Sequence, residues 1–367
     1  MLSSLISQFK KVKDFRKPRG KRHPLWVVLT IVILAILQGN TSYKEMAKFC
    51  DREKDKLIAL LNLPDQRLPS YATIRRVMMG LERREMQGVL EKTVGQHCAA
   101  KDEEDWIAID GKSLKNTLTD YESSQQNALI EVSWFSPERK LVIKCEILRS
   151  KKSSEIAQVQ DMVKDCGLSN KVFTLDALHS GQQTTKTIIE SQNDYLITVK
   201  RNHRKLYNRL KYLGSSEIPL SFHKEKDISH GRKVTRKVSV YEGQSVGHQN
   251  YPHLQSFIKV ERQGIRGKKE YQETLYYISS KKLDARTFFL KIKEHWLIEN
   301  QLHWVKDVIF KEDKSRIKAK SAAANFSLLV TLAMNLYRVL GFFSITQGQD
   351  WLENRWDKLL IIDRLTM

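Results

Sequence analysis

Cysteine is scarce in this sequence, and long apolar runs are missing from it. The four cysteines, at positions 50, 98, 145 and 166, form no C-x-x-C pair, which argues against a disulfide framework or a zinc site and fits a reducing cytoplasm. The most apolar stretch, PLWVVLTIVILAILQG at 24–39, is too short for a comfortable membrane span, and no small-residue cleavage site follows it. We therefore expect a buried helix, no membrane partner and a cytoplasmic protein.

Negative charge is in short supply as well. The chain has 63 Lys and Arg against 42 Asp and Glu, which gives a net charge of +21. An excess of this size favours a polyanionic partner, either nucleic acid or an anionic membrane surface, through long-range attraction and counterion release. Residues 200–275 alone carry 17 basic and 7 acidic side chains, a net charge of +10. Nearly half of the excess therefore lies in this one segment.

The pattern of the first part of the chain, residues 1–104, is mainly helical. The segment TSYKEMAKFC opens on a Thr/Ser cap, and LPSYATIRRVM starts its helical pattern after Pro69 and Ser70. Two short helices therefore precede one that carries Arg75 and Arg76. This order predicts either a DNA-reading unit of helix-turn-helix type or a bundle that only supports its neighbours.

From residue 105 the period becomes that of β-strands. WIAIDG, NALIEVSWF and KLVIKCEIL precede a helical pattern that opens on Ser153 and Ser154, and KVFTLDA, GQQTTKTIIESQ and DYLITVK then alternate as strand, helix and strand. This order predicts an α/β fold, a ribonuclease-H-like mixed sheet with flanking helices. We place this domain at 105–345, interrupted by a basic β-rich insertion of short strands at about 201–275, with a C-terminal tail at 346–367.

Two aspartates close predicted strands of this sheet, Asp110 in AIDG and Asp176 in FTLDA. In a mixed α/β sheet the residue that closes a strand faces the crevice where ligands bind, so neighbouring strands would bring the two carboxylates together. Two carboxylates in a low-dielectric crevice repel each other, and a hard cation such as Mg²⁺ or Mn²⁺ relieves that repulsion. Taken singly, each aspartate is equally well explained as a turn or cap residue.

A third carboxylate is expected from the helical stretch HWLIENQLHWVKD. At α-helical spacing four residues of this stretch share one face: His295, Glu299, His303 and Lys306. An acid among His and Lys suits a metal ligand flanked by groups that contact phosphate. The rival acids are Asp307, Glu312 and Asp313. Glu155 is interpreted as a first-turn helix acid favoured by the helix dipole, and not as a catalytic group.

Several blocks of the sequence, taken in order, resemble a known family. AIDGKSLKNT, the SSEI that follows a lysine pair, FTLDALH, DYLITVKRNH and HWLIENQLHWVKDVIFKED resemble the DDE transposases of bacterial insertion sequences, in the branch that contains the H-repeat-associated proteins. DFRKPRGKRHPLWVVLTIVILAILQGNTSYKEMAKF and LPSYATIRRVM resemble the N-terminal part of the same branch. The resemblance covers nearly the whole chain.

The resemblance implies the catalytic residues and the cofactor. The two aspartates and the glutamate would be both the catalytic residues and the ligands of Mg²⁺ or Mn²⁺, with two ions expected: Asp110, Asp176 and Glu299. The wider supergroup carries the pattern Y-x2-R-x3-E-x6-K around its glutamate. Lys306 fits the second half of this pattern, whereas Ile292 and His295 stand where Tyr and Arg would be.

The implied activity is metal-dependent DNA cleavage and strand transfer at the ends of an insertion sequence. The implied partner is double-stranded DNA, as terminal inverted repeats and as target, bound by a homodimer on paired ends. The candidate DNA contacts are Arg75, Arg76, Lys112, Lys115, Lys200, Arg201, His295, His303 and Lys306. Two alternatives stay open, a catalytically degenerate DNA-binding relative and a nuclease of the same fold that hydrolyses without joining. For the lysines near Asp110, the alternative is an ordinary surface position.

The aromatic residues Trp296 and Trp304, eight apart on the same helical stretch, have two interpretations. Packing against the body of the protein is one, and stacking on a nucleotide base is the other.

Overall fold

The computed structural model describes residues 2–95, 97, 104–118, 128–148, 154–229, 232–247, 251–266, 269–342, 344–353, 355–356 and 359. Cys98, Ser153 and the end of the predicted tail, 360–367, lie outside these residues. Within them, helices and one large mixed sheet make up an α/β fold.

The first part of the chain folds into a helical bundle. Its helices are α1 (Leu2–Phe9), α2 (Leu25–Leu37), α3 (Tyr43–Arg52), α4 (Lys54–Leu61), α5 (Tyr71–Gly80) and α6 (Arg83–Gly95). The cap of α3 is reciprocal, because the Ser42 side chain accepts from the Glu45 backbone N–H while the Glu45 carboxylate accepts from that of Ser42. Ser70 caps α5 by accepting from the backbone N–H of Thr73. Both helix starts agree with the cap residues in the sequence.

The apolar helix α2 lies in the interior of this bundle. All of its residues except Trp26 are buried, as expected of a helix that is hydrophobic on every side. By length and composition alone the segment Pro18–Leu37 could cross a membrane, but 67% of its most apolar window is buried inside the protein. The sequence-based expectation of a buried core helix is confirmed.

Nine strands form one sheet in the order β3-β2-β1-β4-β5-β9-β8-β7-β6. Strand β1 pairs parallel with β4, which pairs parallel with β5, and the other pairs are antiparallel. The strands are β1 (Asp105–Leu114), β2 (Leu129–Ser136), β3 (Leu141–Ile147), β4 (Lys171–Leu175), β5 (Asp194–Val199), β6 (Ser221–Ser229), β7 (Arg232–Glu242), β8 (Ser256–Arg266) and β9 (Lys269–Ser279).

The basic β-rich segment extends this sheet instead of forming a layer of its own. The antiparallel pairing of β9 with β5 joins its four strands to the rest. The sequence pattern predicts three of these strands, in KVTRKVSVYEG, QSFIKVERQG and EYQETLYYISS, which are β7, β8 and β9 in the structure, whereas β6 and the helix α9 (Arg204–Ser216) were not predicted. The missed helix buries the apolar residues Leu206, Leu210 and Leu213 against the sheet core, a spacing that the surrounding Lys and Arg obscured.

The remaining helices flank the sheet: α7 (Glu155–Lys164), α8 (Gln182–Glu190), α10 (Ala285–His295), α11 (Lys320–Val339) and α12 (Ile345–Leu352). Helix α11 is buried along nearly its whole length and packs against both the N-terminal bundle and β3. A single apolar cluster consequently runs from the bundle through α11 to the sheet. The bundle therefore shares a hydrophobic cluster with part of the sheet, and two further clusters fill the rest of the sheet core.

A buried ionic network also joins the bundle to the sheet. The Glu131 carboxylate on β2 accepts from Lys306 Nζ, from Ser327 Oγ on α11 at 3.1 Å and from Arg83 Nη2 on α6 at 3.1 Å. Glu131 and Lys306 are each only 1% exposed. Burial alone would raise the pKa of Glu131, but Lys306 and Arg83 hold it well below its usual range. The ionised carboxylate therefore binds three separate parts of the chain.

We predict that Lys306→Met destabilises the protein by about 3–5 kcal/mol, because it leaves a buried carboxylate without its closest cation. Guanidinium unfolding of the full chain measures the effect. Lys318→Met, which removes an exposed lysine nearby, serves as the control and should change stability by less than about 0.5 kcal/mol. Equal effects of the two substitutions would show that the network contributes little.

Candidate active site

The register of the parallel pair β1–β4 brings Asp110 and Asp176 to the same level of the sheet. The last parallel pair joins Ala108 to Thr174, and each aspartate lies two residues beyond it on the same face. The expectation that Asp110 closes its strand is wrong, since β1 continues to Leu114 by pairing with β2. The neighbouring strand β4 ends near Asp110, and its end leaves a crevice next to Asp110.

Each aspartate uses one oxygen to accept a hydrogen bond from a backbone N–H. Asp110 Oδ1 accepts from the Gly111 N–H at 2.9 Å, and Asp110 Oδ2 lies 3.4 Å from His303 Nδ1. Asp176 Oδ1 accepts from the Leu178 N–H at 2.9 Å and so caps the short turn Ala177–His179. The capping interpretation of Asp176 is therefore observed, and it is compatible with a second role.

Glu299 faces the same cavity as the two aspartates. This cavity has a volume of about 170 Å³ and lies at the end of β4. Besides the three acids, it is lined by Thr174, Lys200, Arg262, His295 and Trp296. The structure thus brings together the three carboxylates that the sequence singled out, with basic side chains beside them.

The helix that carries Glu299 is not a regular α-helix. After α10 the chain continues through two π-helical turns, Glu299–His303 and Val305–Ile309, in which Trp304 N–H donates to Glu299 O and Phe310 N–H to Val305 O. Wider turns change the phase of the side chains. The prediction that one face carries His295, Glu299, His303 and Lys306 is therefore wrong at its last member.

Lys306, which was predicted to contact DNA, does not lie where it could do so. It points away from the cavity and into the buried network around Glu131, where its ammonium group also donates to Ser327 Oγ at 2.9 Å. A side chain that is 1% exposed cannot contact a phosphate in this conformation. Its observed contacts are those of a structural lysine.

Lys112, which was also predicted to contact DNA, instead forms internal ion pairs. It is 8% exposed, and its ammonium group lies 2.7 Å from Asp307 Oδ1 and 2.6 Å from Glu312 Oε2. Lys115 is exposed, with Asp313 Oδ2 at 2.9 Å from its Nζ. The three rival acids of the sequence analysis are thus engaged by these lysines, which makes them poor candidates for metal ligands.

Burial and mutual repulsion shift the proton affinities in the site. Burial raises the pKa of Asp110 to about 7, despite the Gly111 N–H that lowers it, and the charges of Asp176, Glu155 and Glu299 raise it further. Burial lowers the pKa of His295 to about 4 and that of His303 to about 3. Both imidazoles are therefore neutral at physiological pH. His295 Nδ1 forms a hydrogen bond with Thr174 Oγ1 at 2.8 Å, so these histidines contribute polar contacts rather than positive charge.

The donor set of the cavity fits a hard divalent cation. Its acids offer only oxygen ligands, which Mg²⁺ and Mn²⁺ prefer, and their mutual repulsion calls for a positive charge between them. Across the described ranges, no three His, Cys, Asp or Glu side chains stand close enough together to enclose one ion. Mg²⁺ bound in such a cavity would keep water or substrate oxygens among its ligands.

The other candidate DNA contacts lie on the surface. Lys200 and Arg201 are exposed beside the cavity, and Arg75 and Arg76 are exposed on α5. Trp296 and Trp304 are 39% and 53% exposed, so each side chain packs against the protein with one part of its surface and leaves another part open to a partner. Trp296 lies at the cavity with the Arg262 guanidinium 5.9 Å from its ring centroid.

Glu155 is a feature that the sequence analysis left without a role at the site. Its carboxylate lies against Gly111, next to Asp110, and it affects the Asp110 pKa as noted above. The signal in the sequence was the glycine itself, because a glycine inside a strand often marks the close approach of another group.

Convergent carboxylates at the end of a parallel strand, with basic side chains beside them, define a site of the kind that performs metal-dependent phosphoryl transfer. Comparison with known families agrees with this class. The profile described as Transposase DDE domain matches residues 102–336, and a DDE_Tnp_1-associated profile matches residues 6–93. The chain belongs to the DDE transposase family and is a DNA transposase.

Individual relatives carry the same assignment in their names. A protein of Escherichia coli O157:H7, provisionally named transposase YncI, is 28% identical over 92% of this chain and 88% of its own. A protein of Escherichia coli strain K12, provisionally named H repeat-associated transposase YhhI, is 28% identical over 91% of this chain and 90% of its own. Among solved structures, a piggyBac transposase synaptic complex with hairpin DNA aligns with 99% of this chain and 79% of that chain, at 12% identity. Its TM-score of 0.47 is too low to establish a common fold.

We predict that Asp110→Asn stabilises the metal-free protein near neutral pH. An acid whose pKa is higher in the folded state than in the unfolded chain loses stability as the pH rises from its unfolded to its folded pKa. For Asp110 this window runs from 3.8 to about 7, and the loss amounts to up to about 4 kcal/mol. The advantage of the variant should therefore grow from about pH 5 to about pH 7 and stay constant above that, in urea unfolding with EDTA.

The control for this prediction is Asp161→Asn, which removes an exposed acid from α7. Its pH dependence should follow that of the wild type. If Asp110→Asn also follows the wild type, burial does not raise the pKa of Asp110.

Proposed function

We propose that this transposase cuts and joins DNA with Asp110, Asp176 and Glu299 as its catalytic carboxylates. The observation that supports the proposal is that all three line one cavity at the end of β4. The rival acids further along the chain are engaged by Lys112 and Lys115. Three unrelated elements, β1, the turn after β4 and a π-helical turn, supply one carboxylate each.

We propose a ribonuclease-H-like core for the catalytic domain. The five strands β3-β2-β1-β4-β5, with β1, β4 and β5 parallel, support this assignment. Residues 1–104 would form the domain that binds DNA ends and 105–345 the catalytic domain, interrupted by the basic segment 201–275, with 346–367 as a tail. The close packing of α11 on the bundle would fix the two domains relative to each other.

Two divalent ions, Mg²⁺ or alternatively Mn²⁺, would supply activation of the attacking oxygen and stabilisation of the leaving oxygen in an in-line displacement. Asp110, Asp176 and Glu299 would hold these ions through their carboxylate oxygens. The chain itself contributes position and fixed charge. His295, neutral and bonded to Thr174, would offer a polar contact to a phosphate oxygen in place of the arginine of the wider supergroup.

The exposed basic side chains support binding to the DNA backbone. Lys200 and Arg201 lie beside the cavity, and Lys115 and the strands β6–β9 would extend this basic surface. Trp296, exposed at the cavity, would stack on a base. The partners would be double-stranded terminal repeats and target DNA, bound by a homodimer in the cytoplasm.

A second basic surface lies on the N-terminal bundle. A cavity of about 500 Å³ is lined by Arg19, Arg22, Lys54, Arg67 and Arg76, together with His23 and Asp51. Burial, and after it the charges of Arg22 and Arg16, lower the pKa of His23, which is consistent with an excess of basic side chains here. We propose that this cavity and Arg75 contact phosphates of the DNA end.

The decisive experiment is cleavage of DNA that carries the element's own end, with Mg²⁺, by wild type and by Asp110→Asn, Asp176→Asn and Glu299→Gln. Each variant should lose cleavage by a factor of 100 or more, on the order of the loss of one essential electrostatic group. Lys186→Gln, which removes an exposed lysine of α8 that pairs with Glu190, should retain cleavage.

Three outcomes of this experiment have different meanings. Wild type that binds but does not cut in Mg²⁺ or Mn²⁺ would make the protein a degenerate DNA binder. Cutting that survives Glu299→Gln would place the third carboxylate elsewhere, with Asp307 as the next candidate. Cutting without joined products would favour the nuclease.

The basic cavity of the bundle is tested by salt dependence. Arg76→Gln should weaken binding to the DNA end and reduce the slope of log affinity against log salt concentration by about 1, because one phosphate contact is lost. Lys56→Gln, an exposed lysine on α4 that pairs with Glu53, is the control and should leave the slope unchanged. An unchanged slope for Arg76→Gln would place the phosphates elsewhere.

A further inference from the structure

Gly111 leaves the space that the Glu155 carboxylate occupies. A Cβ built on Gly111 would lie 2.5 Å from Cδ and Oε2 of Glu155 and 2.7 Å from Oε1, which is closer than any real contact of this kind. The backbone of Gly111 has an ordinary negative φ and pairs with Val132 in the sheet. The glycine is therefore explained by the close approach of Glu155 and not by a backbone conformation that other residues avoid.

Two elements fix the position of Glu155 at this point. Helix α7 begins with Glu155, and the helix is capped by Ser154, whose Oγ accepts from the Ala157 N–H at 3.2 Å. On the other side, His179 Nε2 lies 3.3 Å from Glu155 Oε1. His179 is 1% exposed and belongs to the turn that Asp176 caps. The carboxylate is thus held between the strand of Asp110 and the turn of Asp176.

Among the described residues, no Lys or Arg lies close enough to Glu155 to balance its charge. His179 is its one ionisable partner within 4.0 Å among the described residues, and no Lys or Arg of these ranges pairs with it. An acid that serves only the helix dipole gains nothing by approaching the charge of Asp110, since like charges repel. Its carboxylate lies against Gly111, the residue after Asp110, where a negative charge strengthens the attraction of a nearby cation.

We propose that Glu155 is a fourth acidic group of the catalytic centre, a positioning residue that raises the affinity of Asp110 for its divalent ion, with His179 fixing its carboxylate. The inference rests on the proposed function of Asp110. It assigns a common purpose to the glycine after Asp110 and to the histidine three residues after Asp176. Gly111 leaves space for the Glu155 carboxylate, and His179 orients it.

The test is the affinity of the full-length, DNA-free protein for Mn²⁺, measured by titration calorimetry. Glu155→Gln preserves the shape of the side chain and its hydrogen bond from His179, and removes only the charge. Its Mn²⁺ affinity should fall by about 10-fold or more. Asp161→Asn, on the exposed side of the same helix, should bind Mn²⁺ like the wild type.

Asp110→Asn separates the failure of this inference from the failure of the proposed function. If Asp110→Asn loses Mn²⁺ and Glu155→Gln does not, Glu155 has only a structural role and the inference is wrong. If Asp110→Asn itself binds Mn²⁺ like the wild type, the proposed centre is wrong, and the role of Glu155 falls with it.

Gly111→Ala provides a second test that retains the charge. The added methyl group would displace the Glu155 carboxylate, and Mn²⁺ affinity should fall although every acid is present. In a Glu155→Ala background the methyl group finds open space, so the double variant should bind Mn²⁺ no more weakly than Glu155→Ala alone. Effects that add in full would show that Gly111 acts independently of Glu155.

Discussion

The parallel pairing of β1 with β4 is the constraint on which the site depends. It places Asp110 and Asp176 level with each other, two residues beyond the last pair, and the early end of β4 opens the crevice between them. Burial there raises the pKa of Asp110 to about 7. Without a cation the site is therefore a source of instability, which is the usual condition of a centre whose charges are arranged for a ligand and not for the fold.

The third carboxylate reaches this crevice through an irregular helix whose position is fixed by buried ions. The π-helical turns after α10 direct Glu299 to the cavity and Lys306 to Glu131. Glu131 in turn binds Arg83 of the N-terminal bundle. A single network therefore connects the strand next to Asp110, the segment of Glu299 and the bundle, so that the helical part of the protein and the cavity at the end of β4 share one framework.

Much of the fold follows from local patterns in the sequence. The buried α2, the caps at Ser42 and Ser70, and the succession of strands and helices from β1 to β5 were all predicted, because period and cap residues are local signals. Helix α9 and strand β6 were not predicted, because their charged residues obscure the spacing of the apolar ones. Lys306 was predicted on the wrong face of its helix, because the prediction assumed α-helical spacing and not the i→i+5 bonds of a π-helix. Lys112 was misplaced because its acidic partners lie about 200 residues away.

The sequence by itself determined which residues are capable of the chemistry. The order of its motifs identified a DDE transposase and singled out Asp110, Asp176 and Glu299 without any knowledge of distance. Only the tertiary structure decided which basic groups remain available to DNA, because Lys112 and Lys306 form internal ion pairs. It also decided that Glu155 lies beside Asp110. The reason is physical: a residue type specifies what a side chain can do, whereas burial and charge partners arise from contacts between segments that are distant in the chain.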